Sequence, residues 1–155
     1  MAQKTFVSAV LTSADVNTFL AGEGGAWQTW SPTVTQSGAV AATNTRSRFA
    51  RYGRTIHFVC HVQCTGTGTA ANEIRISLPV TAAASFSGFG SGYMSDASDT
   101  ALYPAVLNIV ATTEFALMNA TTSQLGQNNL GAAVFTAALA NGDVIRIGGT
   151  YEAAA

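Results

Sequence analysis

The sequence predicts an all-β fold: an antiparallel β-sandwich of jelly-roll type, preceded by a short N-terminal helix and arm. Three observations predict it. Arg51 to Cys64 alternates strictly, with Ile56, Phe58, Cys60, Val62 and Cys64 on one face and His57, Val59, His61 and Gln63 on the other. About eight short runs rich in β-branched and aromatic residues follow one another, with turn-forming residues between them. Helical spacing is confined to residues 6–21. Short strands joined by polar turns, with almost no helix to cover a sheet, bury their apolar faces by packing on one another.

In chain order, Thr12 is a good N-cap, and Asp15 three residues later suits the positive end of a helix. Val16, Phe19 and Leu20 share one helical face, and Gly22, Gly24 and Gly25 end the run. Helices shorter than ~12–15 residues are marginal alone, so this apolar face needs a partner, either its own domain or another subunit. Residues 1–25 are read as an attachment arm ending in a glycine hinge, and residues 26–155 as the sandwich domain.

Residues 26–35 read as a single strand that Pro32 confines to an edge or a bulge. Residues 36–45 read as a polar connection, and Ser47 to Tyr52 as a short strand turning at Gly53 into the long one. Thr65 to Thr69 is a loop. Glu73 to Val80 is a strand with Ile74, Ile76, Leu78 and Val80 inward. Ser87 to Ser95 alternates glycine with aromatic residues, as strands do where a neighbour approaches closely. Leu102 to Ala111 and Thr113 to Asn119 are two further strands, with Tyr103, Ala105, Leu107 and Ile109 on one face of the first. Residues 121–131 form a loop, and Ala132 to Ala140 a strand or a short helix. Asn141-Gly142-Asp143 is a turn before a final strand, Val144 to Glu152.

Composition narrows the function. Hydrophobic residues make up 48% of the 155, but charged residues only 10%, where about 25% is usual. Thr, Ser, Asn, Gln, Gly and Ala must therefore clothe the surface, which suits one that meets other protein, since charge is depleted at interface cores. The net charge of −1 argues against nucleic acid as a general partner. No apolar run reaches the ~18 residues of a membrane span. The N-terminus turns polar too soon for a secretory signal and reads as mature sequence.

Several clusters invite chemical readings. Cys60 and Cys64 lie ~13 Å apart along a strand, beyond the ~7 Å a disulfide tolerates, so they read as buried reduced thiols. His57, Cys60, His61 and Cys64 have metal-ligand spacing only on a helix; on a strand the two pairs face opposite ways, and no metal or other cofactor is expected. Arg46, Arg48, Arg51 and Arg54 hold four of the seven Lys and Arg residues. They read as edge-blunting charges, as an anion, glycan or nucleic-acid contact, or, with His57 and His61, as a subunit contact. Trp27, Trp30, Tyr93 and Tyr103 are core rings or sugar-stacking rings; Trp27, Trp30 and Tyr93 are the candidate glycan contacts. Asp96 and Asp99 supply too few oxygens for a calcium loop. No nucleophile-base motif, carboxylate pair or phosphate loop stands out, and no catalytic residue is assigned: the expectation is a protein that is not an enzyme.

Three stretches resemble small virion structural proteins of tailed bacteriophages, especially minor tail or fibre-type modules of actinobacterial phages. Phe6 with Val10-Leu11-Thr12-Ser13-Ala14-Asp15-Val16-Asn17 and Leu20 is similar to their N-terminal segment. Trp27-x-x-Trp30-x-Pro32-Thr33-Val34-Thr35, followed by Arg51-Tyr52-Gly53-Arg54-Thr55-Ile56-His57, is similar to their central pattern. Ser77-Leu78-Pro79-Val80 and Gly142 to Glu152 resemble their middle and closing strands. The resemblance implies a non-enzymatic virion protein, a tail-tip or fibre-type module or a capsid decoration module. Its expected localisation is the virion, assembled in the host cytoplasm. Its implied partners are other virion structural proteins, with Phe6, Leu11, Val16, Phe19 and Leu20 as the partner-binding residues. It further implies a homotrimer, and a host-surface role that includes glycan contact. The alternative from another class is a lectin-like carbohydrate-binding module.

Overall fold

The computed structural model describes residues 26–83, 88–119 and 137–155. These fold into an all-antiparallel sheet of eleven strands, and no helix occurs among the described residues. The first four strands are short: β1 (Gln28–Thr29), β2 (Val34–Thr35), β3 (Ala39–Val40) and β4 (Ala42–Asn44). The hairpin of β5 (Arg48–Tyr52) and β6 (Thr55–Cys64) follows, then β7 (Ile74–Ser77). The long strands β8 (Gly88–Ser95), β9 (Leu102–Ala111), β10 (Glu114–Asn119) and β11 (Val144–Glu152) complete the set. The order across the sheet is β1-β5-β6-β11-β8-β9-β10-β7-β2-β3, with β4 also pairing β6.

The sheet curls around a single core. Phe58 on β6 and Phe115 on β10 stand four places apart in that order, which would separate them by ~19 Å in a flat sheet. Their ring centroids are 5.5 Å apart. Phe58 also meets Tyr151 at 5.9 Å and Trp30 at 5.8 Å, both edge to face. The alternation of β6 is the reason. Ile56, Phe58, Cys60, Val62 and Cys64 are all buried, and Ile74, Ile76, Ile145, Ile147, Leu107 and Leu117 close over them.

Glycine shapes the curl at β8. The inward positions opposite β11 are Gly88, Gly90 and Gly92. A Cβ on Gly92 would sit on the Arg146 carbonyl, and one on Gly90 would lie 2.6 Å from the Gly148 carbonyl. The alternation of glycine with aromatic residues thus reflects close backbone approach. Gly53, at φ 59, makes the β5–β6 turn.

Four expectations need correction, and each has a local cause. Residues 26–35 form two strands on distant parts of the sheet, β1 on β5 and β2 on β7. Pro32 cannot donate to a ladder, and the Trp30 ring turns inward between them. Residues 36–45 contain β3 and β4, because Val40 gives that polar stretch a buried foothold. The strand beginning near Glu73 stops at Ser77 and not Val80. Pro79 interrupts it, and the Tyr151 hydroxyl takes over Val80, donating to its carbonyl (2.7 Å) and accepting from its N–H (3.1 Å). Residues 137–140 are neither strand nor helix, yet carry Leu139 into the core. The helix expected within residues 6–21, its glycine hinge and the loop at 121–131 lie outside the described residues.

Candidate functional site

The outer face of the β5-β6-β11-β8 segment gathers most of the surface residues singled out in the sequence. Cross-strand register sets it in rungs. One rung runs Ala50–His57–Thr150–Phe89, the next Arg48–Val59–Gly148–Ser91, and the third His61–Arg146–Tyr93. Trp27, just before β1, joins the first rung and borders a depression of about 650 Å³ with Ala50, Tyr52, His57, Val59 and Gly148. The face is unusually apolar at its exposed positions: Phe89 is 76% exposed, Tyr52 52% and Trp27 50%.

Polar groups on this face are held in defined poses. Thr150 Oγ1 and His57 Nδ1 are 2.9 Å apart, and the Tyr52 ring stands edge-on to His57 at 5.8 Å. Arg146 Nε donates to His61 Nε2 at 2.7 Å, and another of its nitrogens donates to the Tyr93 hydroxyl. The same guanidinium lies 5.6 Å from the Tyr93 ring centroid, and that of Arg48 lies 5.6 Å from the Trp27 ring. Partial burial lowers the His61 pKa, and the charges of Arg146 and Arg46 lower it further.

The four arginines do not form one patch. Arg46 is exposed near His61, and Arg48 belongs to the outer face. Arg51 folds back on the Gly53 carbonyl at 2.7 Å. Arg54 is drawn to the C-terminal segment, pairing with Glu152 at 3.0 Å and donating to the Ala153 carbonyl at 3.2 Å. On β7, elsewhere in the curled sheet, Arg75 is clamped between Glu73 (2.9 Å) and Glu114 (2.6 Å). Arg48 and Arg146 have no carboxylate partner among the described residues.

Trp30 must be removed from the candidate glycan contacts. It is only 7% exposed and packs on Phe58, so its ring offers no face to a sugar; Trp27 and Tyr93 lie outside the core. The thiols are free and buried. Burial pushes the Cys60 thiol up to about 12, against an opposing Ser47 hydrogen bond. Cys64 rises to about 11, by burial and then by the Asp143 charge. With both thiols inward and both imidazoles outward, the four cannot share an ion. No cluster of three or more His, Cys, Asp or Glu able to hold a metal occurs among the described residues.

Asp96 and Asp99 are spent on their own turn. Asp96 accepts from the Ser98 hydroxyl and N–H, which lowers its pKa, while Asp99 accepts from the Ala101 N–H and the Tyr103 hydroxyl. Phe6, Leu11, Val16, Phe19 and Leu20 lie outside the described residues. Sequence reasoning missed Tyr52, Phe89, Arg146 and Thr150 as members of the outer face. The only local signal was the outward slot each occupies in its strand. No family model, curated protein or solved structure matches this chain.

Proposed function

We propose that the protein is a non-enzymatic structural module of a tailed-bacteriophage virion, of tail-tip, fibre or capsid-decoration type. Residues 1–25 anchor it to other virion proteins, and the β-domain projects to stabilise the particle or to contact the host surface. The observation that carries this reading is the resemblance spread from Phe6 to Glu152. A chain with only 10% charged residues, bearing exposed Trp27, Tyr52, Phe89 and Leu102, supports it as a surface that meets other molecules. On this reading the curled sheet is a jelly-roll-type sandwich, with the Phe58–Phe115 contact between its layers.

The homo-oligomer, a trimer, belongs to the same proposal, with closed symmetry as the general rule. A second reading, a lectin-like carbohydrate-binding module, is favoured by Trp27 and Tyr93 standing beside Arg48 and Arg146.

Labelled antibody and electron microscopy on purified virions of the encoding phage test the main reading. Regular decoration of tail or capsid is the expected result, and absence from particles overturns it. A variant lacking residues 1–22 should fold but fail to reach normal occupancy. Light scattering of the full chain at micromolar concentration should give a trimer mass; a dimer removes the trimer alone, and a monomer removes the oligomer.

A further inference from the structure

The rung through the middle of the outer face is nearly bare. Gly148 and Ser91 form its floor beside Val59. The rungs on either side carry His57, Thr150 and Phe89, and His61, Arg146 and Tyr93. His57 and His61 are four residues apart on β6, so the two ridges stand ~13 Å apart. The depression bordered by Trp27, Ala50, Tyr52, His57, Val59 and Gly148 forms the β6–β11 part of a trough that the register continues to Ser91 on β8, with Arg48 beside Trp27.

Nothing in the packing of the sheet requires glycine at 148. A Cβ there would meet the Phe58 carbonyl at 3.4 Å and Val59 Cγ1 at 3.6 Å, both ordinary contacts, and the backbone is not left-handed. Its neighbour Gly149 differs: a Cβ there would lie 2.6 Å from the Phe89 carbonyl. Glycine inside a strand weakens it. The trough is what the missing side chain at 148 keeps open.

We propose that this trough is a saccharide-binding site and that its ligand is acidic, a carboxylate-bearing oligosaccharide lying across β6, β11 and β8. The inference deepens the carbohydrate-binding reading and does not depend on virion location. The exposed rings of Trp27 and Phe89, with the half-buried ring of Tyr93, offer flat apolar faces for sugar rings. Arg48 and Arg146 have no carboxylate partner among the described residues and are already oriented against those rings. A guanidinium fork is matched in shape and charge by a carboxylate. The Thr150–His57 pair and the Ser91 hydroxyl add groups that can both give and accept hydrogen bonds. An extended peptide fits less well, because the floor strands are ladder-paired on both sides and leave no edge for main-chain pairing.

The test is calorimetric titration of the full chain with tetragalacturonate and 3′-sialyllactose as acidic probes, and maltotetraose as the neutral one. Binding of either acidic probe, with the neutral one at least about tenfold weaker, is expected from one charge-assisted hydrogen-bonded pair. Which acidic probe binds distinguishes a uronate ligand from a sialate one. Arg146→Gln should erase that preference. Gly148→Val should keep or raise the melting temperature while abolishing binding, which a purely structural glycine would not do. Ser91→Trp, at an exposed position, blocks the same trough and decides the matter if the valine variant fails to fold. No binding of either acidic probe at millimolar concentration overturns the proposal. So does equal binding of the neutral probe, or full binding by Gly148→Val or Ser91→Trp. A loss of oligomer mass in the trough variants without any saccharide binding reassigns the face to a contact between copies.

Discussion

Gln36→Leu should destabilise the protein more than any surface change, because Gln36 alone ties three distant backbone groups together. The side chain is 1% exposed. Its Nε2 donates to the carbonyls of Asn72 (3.2 Å) and Ala137 (3.0 Å), and its Oε1 accepts from the Leu139 N–H at 2.9 Å. Leucine fills similar space but satisfies none of these. The Leu139 N–H, beside a buried side chain, would be left orphaned at about 1–3 kcal/mol. The two carbonyls belong to a half-buried and an exposed residue. They regain water and add about 1 kcal/mol together, for a net loss of about 2–4 kcal/mol. At 2–4 °C per kcal/mol for a chain of this size, the melting temperature should fall by roughly 4–16 °C. Differential scanning calorimetry measures it, and hydrogen exchange at the Leu139 amide should accelerate locally. Gln36→Glu sharpens the logic: its carboxylate still accepts from Leu139 but cannot donate, so the loss should be larger at pH 7 than at pH 4. A drop under about 2 °C for Gln36→Leu would refute the idea that this residue pins the 137–139 segment.

The thiols give a second prediction. Cys60 and Cys64 should react with a thiol reagent only on denaturation; rapid labelling of the native chain would contradict their burial. Their folded pKa values stand near 12 and 11, above the ordinary 9.0. The unfolded chain therefore loses protons first, and the stability from neutral thiols, complete below pH 9, is lost as pH rises toward 11–12. Urea midpoints should fall across that window, and a flat profile would count against the assignment. For His61 the sign is opposite. Its pKa is lowered from 6.5, so folding disfavours its protonation and stability falls as pH drops below 6.5. In an NMR titration the His61 ring should titrate below 6.5 and shift upward in Arg146→Gln; a midpoint at or above 6.5 in the native chain would exclude the Arg146 contact.

The sequence by itself determined the long strands and their inward faces. The period of two in Thr55–Cys64 survives intact as buried Ile56, Phe58, Cys60, Val62 and Cys64, and β9 and β11 fall on their expected limits. Alternation is a local property, fixed by the pleat of a single strand, so it can be read without knowing the neighbours. Where local signals conflict, tertiary contacts decided. Residues 26–35 look like one strand broken at most by a bulge at Pro32, yet Trp30 and Pro32 carry the chain from β1 at one edge to β2 near the other. Val40 made strand of a stretch whose composition reads as loop. The sequence named several members of the candidate site, Trp27, Arg48, His57, His61 and Tyr93, but their grouping lay on the tertiary side. His61, Tyr93 and Arg146 are joined over 53 and 85 residues of chain. Only the β6–β11–β8 register sets them on one rung, with the bare rung of Gly148 and Ser91 beside it. Register across a sheet is a long-range choice, settled by which inward faces fit the shared core, and no spacing along one strand encodes it.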